Sequence, residues 1–305
     1  MEMNLMPYRV EKILNNNSTL NIQSIGLPKG VEMLEANEVW SEAEGGKGIV
    51  IAVLDTGISK NHPFLKDNII DGKDFSGKGD YEDGSGHGSH VAGIIRQVAP
   101  NADLLIGKVL DDDGAGSYQS IIDGINWATN YVGANGERTR IINMSLGGSE
   151  KSNELEQAIL NAVSKGILVV VASGNEGNHF DDRYEQSYPA LYNECITVGA
   201  IDQHNRMAGF SNEHLQLDVV ALGVNVKSTY KNEGYAVLSG TSMATPHISS
   251  ALALIIKIGE KQFKRDLTES ELYGLMLKCC CSLDYAKSLS GNGTPKLSEI
   301  NKHCK

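Results

Sequence analysis

Four short stretches of this sequence place polar side chains where apolar runs begin or end. Asp55 closes the run Val53, Leu54 and is followed by Thr56 and Gly57. His87 stands between Gly86 and Gly88 and leads into Ser89, His90, Val91, Ala92 and Gly93. Asn175 follows Ser173 and Gly174, directly after the apolar Val171 and Ala172. Ser242 lies in the series Gly240, Thr241, Ser242, Met243, Ala244, Thr245, Pro246, His247. An Asp, a His and a Ser suffice to turn a hydroxyl against a carbonyl. Serine is a poor nucleophile until an adjacent base takes its proton. Histidine is the usual base, and a buried aspartate fixes its tautomer and stabilises the imidazolium. An asparagine amide can donate to the oxyanion that forms.

Each stretch has a plainer reading when taken alone. Asp55 and Asn175 are turn residues, His87 opens a helix, and Ser242 caps one. Pro246 fits an early helical turn, where no N–H is missed. His87 and His90 offer a metal pair and a metal-hydrolase alternative, but no third ligand stands at a recognised spacing. Cys279, Cys280 and Cys281 are adjacent, so on a helix they face different sides and cannot converge on one ion.

The elements that must position these groups are visible as alternating patterns. Residues 49–54, 104–110, 141–145, 167–172 and 196–198 are nearly continuous in Ile, Val and Leu, as strands buried on both faces should be. Helical patterns cover 87–96, 117–131 and 152–165, with a long one at 243–257. A further helix begins at Thr268, where Glu271 completes a capping box. Strands alternating with helices predict an α/β fold: a doubly wound, mainly parallel sheet with helices on both faces.

Composition narrows the function. The chain has 305 residues, 27 Lys and Arg against 38 Asp and Glu, and a net charge of −11. That balance argues against nucleic acid and anionic lipid as partners, since both need cationic surfaces. The longest wholly apolar run is residues 251–256, too short for a bilayer, and residues 1–13 carry no apolar signal core. Five cysteines, three adjacent, do not form a disulfide framework and suit a reducing compartment. The expected location is the cytoplasm.

Together, the order Asp55, His87, Asn175, Ser242 resembles the subtilisin-like serine proteases over about residues 48–256. The Asp-Thr-Gly, His-Gly-Ser-His-Val-Ala-Gly and Gly-Thr-Ser-Met-Ala strings are long and specific. Leu5, Met6, Pro7 and Tyr8, the stretch 188–194 and the run 267–271 are similar to the intracellular subtilisins. The resemblance implies a serine endopeptidase with Asp55, His87 and Ser242 as triad and Asn175 as oxyanion donor. It implies substrate-binding segments at Gly114, Ala115, Gly116 and at Ser145, Leu146, Gly147. Ala172, Ser173 and Gly174 would wall the primary specificity pocket, with Gln186 near its floor.

No cofactor is required by this reading. The family's strong calcium site is expected to be absent: the helix after His87 has no room for the calcium loop, and Phe64 stands where an aspartate ligand is usual. A weaker cation site would lie at Ala190, Tyr192 and Asp218. Residues 1–20 would be an inhibitory segment, with Leu5, Met6, Pro7 and Tyr8 crossing the active site, and residues 21–305 one peptidase domain. Too few residues precede the first strand for a folded pro-domain, and removal of the segment would occur within 15–21. Substrates are polypeptides, and the resemblance leaves a homodimer open. The alternatives are a dedicated leader-peptide processing protease and a catalytically silent binding protein on the same fold.

Overall fold

A parallel strand has neighbours on both edges and helices on both faces, so it must be apolar throughout. The computed structural model, which describes residues 2–14, 26–177 and 185–304, uses the apolar runs in that way. In chain order the strands are β1 (Glu2–Leu5), β2 (Arg9–Leu14), β3 (Val50–Asp55), β4 (Ile69–Asp74), β5 (Asp103–Lys108), β6 (Ala115–Ser117), β7 (Thr139–Met144), β8 (Leu146–Gly147), β9 (Leu168–Ala172), β10 (Ile196–Ile201), β11 (Leu217–Leu222), β12 (Val226–Tyr230), β13 (Gly234–Ser239), β14 (Cys280–Cys281) and β15 (Thr294–Pro295). The helices are α1 (Lys29–Leu34), α2 (Ala36–Val39), α3 (His87–Val98), α4 (Tyr118–Thr129), α5 (Asn153–Ser164), α6 (Thr241–Phe263), α7 (Glu269–Lys278) and α8 (Lys287–Ser290).

Seven strands form the central sheet in the order β11-β10-β9-β7-β3-β5-β4, and every pair is parallel. Alternate residues of β3 serve opposite faces. Ile51 and Val53 join the core that contains α3 and α6, whereas Val50, Ala52 and Leu54 join the core under α4 and α5. The fold is therefore the doubly wound α/β sheet expected. Ser117 Oγ caps α4 and Ser152 Oγ caps α5, each accepting from the backbone N–H three residues on. Thr268 and Glu271 form the expected capping box on α7.

Four departures from the expected pattern stand out. β4 alternates exposed and half-buried residues at the sheet edge, so its sequence shows no apolar run. β12 and β13 pair antiparallel outside the main sheet, and β2 adds to the free side of β13. Pro246 lies not in the first turn of α6 but in the second, six residues after the Gly240 cap. There a backbone N–H is missed, namely the one that would reach Ser242 O. The hydroxyl of Ser145 donates to that carbonyl instead, at 3.0 Å. The cysteines also differ from a helical triplet: Cys279 is the buried cap of α7, while Cys280 and Cys281 run in β14, with Cys281 exposed.

Candidate active site

In parallel sheets, sites gather where strands end and chains turn outward. The carboxyl ends of β3, β7 and β9 do so here. Asp55 is the last residue of β3 and is fully buried. His87 is the first residue of α3, after Gly86 in a left-handed conformation (φ 100°). Asp55 Oδ1 and His87 Nδ1 are 2.8 Å apart, and neither side chain is accessible. The second oxygen Asp55 Oδ2 and the far nitrogen His87 Nε2 have no hydrogen-bond partner among the described residues.

Ser242 is the second residue of α6, with Gly240 rather than serine as the cap. Its Oγ donates to Ser145 O at 3.2 Å, so in this arrangement the hydroxyl is turned toward β8 and not toward His87. Asn175 follows β9. Its Oδ1 accepts from Thr241 N at 2.8 Å and from Thr241 Oγ1 at 3.0 Å. The amide is thereby oriented, and its buried Nδ2 is left without a partner among the described residues. A donor held this way next to a helix N-terminus is suited to a developing negative charge.

Several contributors gave no sequence signal. Asp83 is buried and takes donors from both catalytic elements. Its Oδ1 accepts from Thr56 Oγ1 at 2.8 Å, Ser85 N at 3.1 Å and Gly86 N at 2.7 Å. Its Oδ2 accepts from Ser89 N at 2.8 Å and Ser89 Oγ at 2.6 Å. This one carboxylate ties the turn after Asp55 to the start of α3. Lys108, 1% exposed, donates to Thr56 O at 2.6 Å and to Asp112 at 2.7 Å, and holds that carboxyl below the usual range. His90 serves structure: its Nε2 lies 3.1 Å from Val226 O and 3.2 Å from Ala236 O, and burial pushes its pKa down to about 3. It joins α3 to β12 and β13, away from any ion shared with His87.

The substrate-binding candidates are already paired. β1 lies between β6 and β8, antiparallel to both. Met3 faces Gly116, Asn4 faces Ala115 and Gly147, and Leu5 faces Leu146. Leu5 N donates to Gly114 O at 2.8 Å. Small residues are required there: a Cβ on Gly114 would come 2.7 Å from Leu5 Cδ1, and one on Gly147 would come 2.4 Å from Met6 Cε. Met6 is buried, its sulfur 3.8 Å from Thr241 Oγ1. Tyr8 packs on His87 with ring centroids 4.9 Å apart, and burial raises its phenol pKa against Ser85 and Tyr230. Met3, which the sequence did not single out, is fully buried in the core with Tyr118, Ile121 and Leu146.

Ala172 and Ser173 are buried, and Gly174 (φ 114°) backs onto Asn212, whose amide nitrogen a Cβ would meet at 2.1 Å. Gln186 is exposed. The neighbouring Ser187 is buried, and its Oγ would lie 2.7 Å from a Cβ on Gly147, beside the Met6 methyl. Residues 15–21, where removal of the segment was expected, fall outside the described residues.

The donor sets for cations read as follows. Phe64 has the Arg96 guanidinium over its ring at 4.7 Å and offers no oxygen ligand. Ala190 O accepts from Thr197 Oγ1, and the Tyr192 hydroxyl is bonded to both Ser152 N and Ser152 O. The Asp218 carboxylate accepts from Thr197 N at 2.8 Å and the Tyr273 hydroxyl at 2.6 Å.

The Subtilase family of peptidases matches residues 46–293, and the chain belongs to that family. It is 44% identical to the "Major intracellular serine protease" of Bacillus subtilis (strain 168), over 96% of this chain and 92% of that protein. It is also 44% identical to the "Intracellular serine protease" of Paenibacillus polymyxa, over 90% of this chain and 87% of that one. "Subtilisin Savinase" of Lederbergia lenta is 46% identical over 75% of this chain and 84% of its own length. By family the chain is a serine-type endopeptidase.

Proposed function

We propose that this subtilase cuts peptide bonds through Ser242, His87 and Asp55, and that residues 2–14 hold it latent until they are removed. The observation that carries the catalytic reading is the buried Asp55–His87 pair beside two unspent groups, His87 Nε2 and Asn175 Nδ2. When substrate engages, the Ser242 hydroxyl turns from Ser145 O to His87 Nε2. His87 takes its proton as Ser242 attacks the carbonyl carbon, and the C–N bond then breaks as His87 returns that proton to the leaving amine. Water repeats the sequence on the acyl-enzyme. Asn175 Nδ2 and the N-terminus of α6 stabilise the oxyanion in both steps.

Latency rests on the seat of β1. The segment lies as an added strand, with Met6 beside Gly147 and Thr241 and Tyr8 on the His87 ring, and these neighbours support the reading of Met6–Pro7 as the bond at the cutting position. Proline fixes its own φ and restricts the residue before it. The Met6 carbonyl is thereby held off the geometry of attack, which a displacement of about 1 Å suffices to spoil. The names of the two full-length relatives place them inside cells, and we infer the same for this chain; no helix among the described residues is long and apolar enough to cross a membrane. No observation favours the leader-processing or silent-binder alternative.

The test uses a fluorophosphonate probe, with the label located by mass spectrometry. The full chain is folded first and then cut at a recognition sequence inserted between residues 14 and 26. Strong label on Ser242 after the cut and faint label before it is the expected result. Equal label in both would remove the latency. Absence of label in both folded forms would remove the protease reading.

A further inference from the structure

The N-terminal segment does not stop at the position of chemistry. Beyond Tyr8 it resumes as β2 and pairs antiparallel with β13. Arg9 faces Ser239, Val10 faces Leu238, Lys12 faces Val237, Ile13 faces Ala236 and Leu14 faces Tyr235. The other side of β13 is taken by β12. Departure of the segment therefore uncovers one row of backbone donors and acceptors on β13, in line with the cleft. Uncovered rows of this kind recruit another strand.

The backbone, more than side-chain pockets, holds β2 in place. Five of its six residues are exposed, and Val10 and Ile13 are 49% and 57% accessible. One side-chain bond reaches across, from Ser239 Oγ to Glu11 Oε1 at 3.0 Å. A strand seated by its main chain selects for extended conformation and little else.

We propose that β13 is a strand-addition site for the part of a polypeptide substrate that follows the cut bond, from its third residue to its eighth. The register comes from the segment itself: with Met6–Pro7 as the bond, Arg9 is third and Leu14 eighth. The inference rests on the reading of residues 2–14 as a substrate mimic. The ligand is a long, unfolded chain. A folded protein does not offer that many consecutive extended residues, and a short peptide does not reach β13.

The test uses the protein folded whole and then cut as above. Two quenched peptides share the residues before the bond and carry either two or eight residues after it. The longer peptide is expected to show a KM about tenfold lower at similar kcat, the scale of one or two net hydrogen bonds. The pairing shifts register at Glu11, the fifth residue, so N-methylation should abolish that gain at alternate positions within the third and fourth residues and again within the sixth to eighth, as a bulged ladder demands. Equal KM values, or a methyl effect without alternation, overturn the proposal. If neither peptide is cut and Ser242 takes no probe, the protease reading fails separately. Binding of the two peptides to a Ser242→Ala variant, by fluorescence anisotropy, then still judges β13, and equal Kd values overturn it.

Discussion

At the scale of single residues, the site separates groups that react from groups that hold them. In the proposed mechanism Asn175 donates at the reacting centre. Removing the equivalent donor in related enzymes costs about 10²–10³-fold in kcat. Asn175→Ala is expected to do the same here with KM little changed, read from steady-state kinetics. Asp83 acts only through others. In Asp83→Asn an amide N–H₂ would face donors that now meet a carboxylate, at a cost of about 1–3 kcal/mol for each unsatisfied group. Its expected signature is a lower kcat together with a lower Tm, whereas loss of Tm alone would make Asp83 merely structural. The sequence made the triad legible because each member ends or begins a regular element within a long motif. Asp83 was not legible, because Asp80 and Glu82 stand beside it and only the fold buries one of the three. Gln186 was placed by counting along a loop; it is exposed while Ser187 is buried beside Gly147, and loop register of that kind cannot be read from residue type.

At the scale of elements, the proline in α6 and the hydroxyl of Ser145 form one device. Pro246 leaves Ser242 O without its helical donor, and Ser145 Oγ supplies one from β7's end. Ser145→Ala should lower stability by about 1–3 kcal/mol, the cost of an unsatisfied buried carbonyl. Pro246→Ala restores an N–H in the helix, so the double variant should recover most of that loss. Additive losses in urea unfolding would sink the idea. The sequence placed Pro246 one turn too early because helix starts are uncertain by a residue or two. Five strands of the central sheet were legible from their continuous apolar runs, whereas β11 was missed because Asp218 interrupts its run. β4 and β13 were not, since half or more of each is not buried, and β12 was not because its buried Ser228 and Thr229 are polar and break any apolar run. The reach of β1 back to Met3 was hidden for a similar reason: an isolated apolar residue near a terminus gives no period to read.

At the scale of the whole molecule, buried titratable groups set the response to acid. Burial lowers the pKa of His90 to about 3, and of His214 and His247 to about 4. Each stays neutral in the fold while the unfolded chain takes up a proton below about 6.5. The stability they contribute is complete above that pH and is lost as pH falls toward 4. Asp218 works against them: burial raises it to about 6, so its contribution is complete at low pH and is lost as pH rises through that value. Three groups outweigh one, and urea midpoints of the Ser242→Ala protein should fall between pH 6.5 and 4. A flat profile would contradict this assignment. The Tyr273 hydroxyl lowers Asp218, so Tyr273→Phe should raise the Asp218 pKa further, measurable by NMR titration of its carboxyl carbon.

The seating of β2 also decides the kinetic order of activation. Leu14 pairs with Tyr235 and stands six residues beyond Tyr8 along an extended chain, roughly 20 Å away. On the proposed latency, a docked segment carries its far end away from the molecule's own Ser242, and the releasing cut would be delivered by a second, already active molecule. Appearance of activity would then be autocatalytic: a lag, a sigmoidal rise, a half-time that shortens with protein concentration and vanishes on seeding. A population of such molecules would switch as a threshold device, silent below a critical density and self-propagating above it.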